Sequence, residues 1–333
     1  MQNNADDRNE KSSARVGADN SIWRGGDFAP ETRHSPLLLT PLTCATMVVV
    51  SLGIMLQGGA SSWEGAERWG YLSPVKLLEG AYWGYITSAF VHQDPLHLVL
   101  NVYWMWILGS ALERSIGPLR WLVFFVAAAW VSSGIQFLTG DQGIGMSGVG
   151  YALFGFGWRA RERMPEFAKI VTQKTVQLFL VWLVFCIVTT YTGLYAVGNG
   201  AHIGGMLFGL AVAEAFVCRR RIALMLFNLA ALGILATLPL FWCPWSVTWV
   251  SIQANKALVK QDYPAAIGWY QRALKLGQEP AFVWESLAQI YGYQNRQAEY
   301  AEALEKLRQV APQRAQDVET RYGKPSAATV PLE

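Results

Sequence analysis

Between residues 37 and 242 the chain repeats one pattern: apolar runs close to the ~20 residues a helix needs to cross ~30 Å of hydrocarbon, separated by polar or aromatic connections. In lipid every backbone N–H and C=O has to be paired inside the protein, so runs of this kind fold as helices and the stretch as a helical bundle. Composition agrees, since 52% of the residues are hydrophobic and 15% charged, with most acidic groups in residues 1–35 and 251–333. The expected fold class is all-α: a polytopic membrane helical bundle followed by a small soluble helical domain. A net charge of +3, without a basic patch interleaved with aromatics, argues against nucleic acid as a partner. Cys44, Cys186, Cys218 and Cys243 lack Cys-x-x-Cys spacing, so neither a disulfide framework nor a zinc site is expected, and no cofactor or metal is called for.

Seven runs can be marked. The first is Leu37 to Leu56, followed by a long connection whose Trp63, Trp69 and Trp83 suit a membrane interface. The second, Leu96 to Leu112, is opened by Asp94-Pro95, an N-cap followed by proline at the first helical position. The others run from Trp121 to Leu138, Met146 to Trp158, Val176 to Tyr191, Ala201 to Val217 and Ile222 to Trp242. The fourth and sixth are thin. Gly148, Gly150, Gly155 and Gly157 in one, and Gly205, Gly209 and Ala213 in the other, let two helix backbones approach closely.

Lysine and arginine set the expected orientation. Arg114 and Arg120, the cluster Arg159, Arg161 and Arg163, and Arg219 to Arg221 all fall on the side of the N-terminal segment, while the opposite loops hold Arg68 and Lys76. The positive-inside rule then makes the N-terminus cytoplasmic and the segment after the seventh run external, in a multi-pass protein expected in a bacterial inner membrane. Residues 1–35 are polar and without apolar periodicity, and are expected to be disordered. Residues 36–217 then form a six-helix core and 218–245 the seventh membrane helix. Residues 246–313 show self-similarity at 34 residues, with Ala254 aligned to Ala288, Ala257 to Tyr291 and Ala266 to Tyr300. Trp284, Leu287, Ala288, Tyr291 and Pro312 fall where a tetratricopeptide repeat places such residues. Two repeats are fewer than such a module needs alone, so it is expected to lean on the membrane domain or on a protein partner. Residues 314–333 are expected to be a disordered tail.

Polar side chains inside apolar spans are costly, and the ones present here gather in three places. Ser147 stands in Gly145-Met146-Ser147-Gly148 at the head of the fourth run, His202 in Ala201-His202-Ile203-Gly204-Gly205 at the head of the sixth, and His97 and Asn101 four residues apart in the second. The topology places all three at one depth. Ser147 reads as a nucleophile, for which His202 or His97 can act as base. No acidic residue is placed to orient the imidazole, so a Ser-His dyad is expected rather than a triad. Tyr151, one turn after Ser147, can pack on the imidazole. Asn101, His97 and the Ser147 N–H at a helix N-terminus can face a developing oxyanion. The polar face of His92, His97, Asn101 and Ser147 offers water a path.

His92-x-x-x-x-His97-x-x-x-Asn101, Gly145-Met146-Ser147-Gly148, Tyr151 and Ala201-His202-Ile203-Gly204-Gly205 together resemble the rhomboid intramembrane serine proteases, over about residues 37 to 217. The resemblance implies a serine endopeptidase that cuts in or beside transmembrane segments of other membrane proteins, at helix-destabilised stretches. It implies Ser147 as nucleophile, His202 as base, and His97, Asn101 and the Ser147 amide at the oxyanion, with His92, Tyr151, Gly145 and Gly148 in support. The chain departs from the family at one point, where the Trp-Arg pair of the first loop reads Trp83-Gly84. The rival expectation is a catalytically silent rhomboid-like protein that binds membrane clients or acts as an adaptor. It predicts loss of the nucleophile or base, yet both are present.

Overall fold

The structure is a computed structural model that describes residues 37–57, 63–140 and 143–324. Residues 1–35, expected to be disordered, lie outside the described residues. The helices are α1 (Leu39–Leu56), α2 (Trp63–Glu67), α3 (Pro74–Leu78), α4 (Gly84–Thr87), α5 (Pro95–Trp104), α6 (Ser110–Ile116), α7 (Pro118–Thr139), α8 (Ser147–Ala160), α9 (Pro165–Ile170), α10 (Gln173–Tyr191), α11 (Asn199–Val217), α12 (Ile222–Thr237), α13 (Val247–Val259), α14 (Tyr263–Lys275), α15 (Pro280–Tyr293), α16 (Gln297–Val310) and α17 (Pro312–Tyr322). The described residues contain no strand.

Six helices among the described residues are long and apolar enough to cross a membrane: α1, the rod Pro95–Ile116, α7, α10, α11 and Ile222–Leu240. The rod joins α5 and α6 through a wide turn at Met105–Gly109. The molecule is an integral, multi-pass membrane protein. The remaining run differs from the others in length. The fourth run folds as α8, which has 14 residues and reaches about 21 Å, short of ~30 Å of hydrocarbon. Most of its residues are buried, Phe154 and Phe156 completely, because α7 and α11 enclose it.

The enclosure depends on glycine. A Cβ on Gly205 would collide with the carbonyl oxygen of Gly148, one on Gly209 with that of Ala152, and one on Gly155 with that of Met206. Helices α8 and α11 thus meet backbone to backbone, as the thin faces of the two runs predict.

Helix starts follow local chemistry. Asp94 accepts the His97 N–H at 2.8 Å, with Pro95 at the first position of α5. At α1 the cap is remote: the Glu113 carboxylate, fully buried on α6, accepts the N–H groups of Leu38, Leu39 and Thr40 at 2.9, 2.8 and 2.8 Å. An anion at a helix N-terminus satisfies orphan donors and favours the dipole.

Helix α12 packs on α7 and α11, where Gly134 meets the backbone of Ala236 and Trp130 Nε1 donates to Thr237 Oγ1 at 3.1 Å. Beyond it, α13 pairs with α14 and α15 with α16. The turns inside the two pairs share their geometry at the repeat spacing, with left-handed Gln261 (φ 60°) and Asn295 (φ 55°). Residues 314–322, expected in a disordered tail, are instead the body of α17. Its Ala315 and Val318 are buried on the repeat core, and Tyr300 fills the space beneath, donating its hydroxyl to Gly323 O at 2.8 Å.

Candidate active site

The loop into α8 is held by its own amides. Gly145 N–H donates to Ser88 O at 3.1 Å, and Met146 N–H donates to His92 Nε2 at 3.2 Å. Because His92 Nε2 accepts, its proton sits on Nδ1, which lies 3.2 Å from Phe90 O and 3.3 Å from Ser51 Oγ. His92 is completely buried and meets the His97 ring edge-on at 4.8 Å. Gly145 has φ +97°, and a Cβ there would come within 2.5 Å of His97 Cε1. Only glycine fits both the backbone and the space.

This loop delivers Ser147 to the first position of α8, where its N–H is one of the free helix-end donors. Ser147 Oγ and His202 Nε2 are 2.8 Å apart. The Tyr151 ring stacks on the imidazole at 4.5 Å and 25°, and its hydroxyl donates to Phe179 O on α10 at 3.0 Å. Asn101, on α5, is buried and donates one amide hydrogen to His97 O at 2.8 Å, leaving a second donor. Gly148 lets α8 close on α7 and α11, since a Cβ would lie 2.6 Å from Ser132 Cβ and 3.2 Å from Ala201 Cβ.

His202 Nδ1 is buried without a hydrogen-bond partner among the described residues. The acid on α11, Glu214, lies three turns away and pairs with Arg159 at 2.7 Å. Among the described residues, the serine and histidine therefore stand as a pair with no third side chain on His202 Nδ1. Among the described residues no cluster of His, Cys, Asp or Glu could hold a metal ion.

Sequence reasoning missed the residues beside Ser147 on α7. Ser132, Ser133 and Gln136 line a cavity of about 20 Å³ next to Ser147, which has room for one water molecule. Gln136 Oε1 also accepts the N–H of Ala201, the residue before His202, at 3.2 Å. The signal was available: a serine and a glutamine four residues apart in an apolar span form a polar spot on one helix face. His92, His97 and Asn101, expected to line the water path, do not line this cavity.

Gly84, where the first loop departs from Trp-Arg, begins α4 and is buried. A Cβ there would lie 2.8 Å from Leu72 Cβ and Leu77 Cδ2, so the loop is packed around the missing side chain. Trp83 is 61% exposed.

An apolar helical bundle that brings a serine and a histidine from different helices into one hydrogen bond defines a class of protein: the integral membrane protein with a partly buried serine–histidine site. Within that class, residues 79–220 of this chain match the family model described as the rhomboid domain. It is similar to the Rhomboid protease GlpG of Enterobacter sp. (strain 638), with 35% identity over 186 residues, covering 55% of this chain and 64% of that one. It is also similar to the Rhomboid protease GlpG of Klebsiella pneumoniae (strain 342), with 38% identity over 133 residues, 39% of this chain and 47% of the relative. The chain spans less than two thirds of the length of these relatives.

Proposed function

We propose that this protein is an intramembrane serine endopeptidase that hydrolyses peptide bonds in or next to transmembrane segments of other membrane proteins. The observation that carries the reading is the 2.8 Å contact between Ser147 Oγ and His202 Nε2, with Tyr151 stacked on the imidazole. A silent client-binding role has no use for this contact.

The geometry supports the following chemistry. His202 Nε2 takes the hydroxyl proton as Ser147 Oγ bonds to the substrate carbonyl carbon, whose oxygen becomes an oxyanion. The Ser147 N–H, the second amide hydrogen of Asn101 and His97 face that charge, and in well-studied serine proteases one such donor is worth about 3 kcal/mol. The oxyanion collapses, the C–N bond breaks, and His202 returns its proton to the leaving amine. Water then attacks the acyl-serine ester, giving one proton to His202 and its oxygen to the released acid. The proton passes back to Ser147 Oγ. Tyr151 keeps the imidazole in plane, while His92, Gly145 and Gly148 hold the loop and the helix contact on which the geometry depends. The cavity beside Gln136 can store the water.

The reading places the N-terminus in the cytoplasm, Ser147 toward the outer leaflet, and the C-terminal domain outside. Substrates present a helix-destabilised stretch, since a regular helix shields its carbonyls. Helices α13 to α17 act as a tetratricopeptide-like module with room for a protein partner. The test is cleavage of a single-pass membrane reporter by the purified protein in liposomes, beside Ser147→Ala and His202→Ala. Cleavage by the wild type alone, with both variants folded, is expected. Equal cleavage by all three would put the activity elsewhere.

A further inference from the structure

The connection between α1 and α5 is built from helices too short to satisfy their own ends. Helix α3 has five residues, and the carbonyl at its last position, Leu78, accepts a hydrogen bond from Lys256 Nζ at 2.8 Å. The lysine comes from α13, 178 positions further along the chain. A cation on helix-end carbonyls is the ordinary C-terminal solution, here supplied by another domain.

The grip extends beyond one bond. Leu78 and Leu138 pack into a cluster with Cys243, Trp249, Val250 and Ala273. Trp245 Nε1 donates to Leu138 O, on the last turn of α7, at 3.1 Å. Leu77 is buried with Tyr85, Phe137 and Leu240. The segment from α12 to α14 therefore holds two places, the α3–α4 connection and the end of α7.

Each place leads to one member of the Ser-His pair. From α4, Tyr85 O is held by Ser133 Oγ at 2.7 Å, and Ser88 O receives the N–H of Gly145, two residues ahead of Ser147. From α7, Gln136 Oε1 receives the N–H of Ala201, one residue ahead of His202.

We infer that the C-terminal domain is a built-in brace for the Ser147–His202 pair, and that Lys256 and Trp245 are positioning residues acting through Leu78 and Leu138. Neither touches the reacting atoms. The inference rests on the reading of Ser147 and His202 as the active pair. Loss of the Lys256 ammonium leaves Leu78 O unpaired beside an apolar cluster, which α3 escapes only by moving, and Ser88 O moves with the connection that follows.

The experiment uses the full chain in liposomes, comparing wild type with Lys256→Met, Lys256→Arg and Trp245→Phe. Three quantities are read: covalent labelling of Ser147 by a fluorophosphonate without substrate, kcat and KM on a reporter, and amide hydrogen exchange over residues 74–90 and 143–147. Lys256→Met and Trp245→Phe are expected to slow labelling and kcat by about tenfold, the scale of a sub-ångström misplacement, with KM little changed. Exchange at the Gly145 and Met146 amides rises in Lys256→Met, and Lys256→Arg returns all three readouts toward wild type. Unchanged labelling and exchange in Lys256→Met would overturn the inference, as would faster exchange confined to residues 74–80. If the wild type neither labels nor cleaves, the protease reading fails, and exchange at Gly145 still decides whether the brace exists.

Discussion

Gly209 tests whether the separation of α8 and α11 sets the chemistry. It lies two turns beyond His202 and touches no site residue, yet an added Cβ would lie 2.7 Å from Phe156 N and 2.8 Å from Ala152 C, and would collide with Ala152 O. Ordinary contact begins near 3.4 Å, so relieving the Phe156 N contact alone, from 2.7 to 3.4 Å, parts the helices by about 0.7 Å, and the collision with Ala152 O requires more. If α11 moves as a rod, the Ser147–His202 contact opens from 2.8 Å to at least about 3.5 Å, the edge of hydrogen bonding. Misplacement on the 1 Å scale costs on the order of 10²-fold in rate, and overpacking costs about 1–3 kcal/mol of stability. Gly209→Ala is therefore expected to cut a membrane reporter in liposomes roughly 10²-fold more slowly while still folding. Gly150→Ala is the control. It sits on the same helix as Ser147, a Cβ there meets nothing within 4 Å, and alanine favours the helix, so rate and melting midpoint should hold or rise. A folded Gly209→Ala that cleaves at the wild-type rate would refute the argument that helix spacing sets the dyad.

Three further outcomes are expected. Tyr151→Phe keeps the ring on His202 and loses the bond to Phe179 O, so cleavage should stay within a few-fold while stability falls by about 1 kcal/mol in thermal unfolding. Glu113→Gln sets an amide donor against one of the three N–H groups that the carboxylate accepts, and should lower stability by about 1–3 kcal/mol, read as a lower melting midpoint. Lys76, 2.6 Å from Glu67, holds that carboxyl below its ordinary value of 4.5, so the pair stabilises above about pH 4.5 and its contribution is lost as pH falls through the depressed value. Both side chains are partly exposed, so the difference in stability between wild type and Glu67→Gln, read from thermal unfolding, should be small at neutral pH, under about 1 kcal/mol, and vanish in acid.

What could be read in the sequence was what local pattern determines. Apolar run length marked the membrane helices, Asp94-Pro95 marked the start of α5, and glycine spacing marked the faces on which α8 and α11 meet. The Ser147, His202 and Tyr151 positions were legible because polar groups in apolar runs need partners, and the structure brings these three together. The hidden features depend on distant parts of the chain. Gln136 and Ser132 were masked by the apolar residues around them, although both line the cavity beside Ser147. Glu113 and Lys256 cap helices 73 and 178 positions away, and local sequence cannot name such a partner. Helix α17 was missed because its apolar stripe is only Ala315 and Val318, too thin to stand out in a polar segment.

The shortness of α8 bears on how the protein is made. A 14-residue helix cannot span the bilayer alone, and its most extensive packing is with α11, which emerges from the ribosome after it. Until residues 199–217 are synthesised, α8 lacks the glycine-lined surface that receives it, and Ser147 lacks His202. The order of the chain therefore acts as a timer: the serine is delivered early, the histidine last within the core, and the pair comes into existence only when the fold around it is nearly closed.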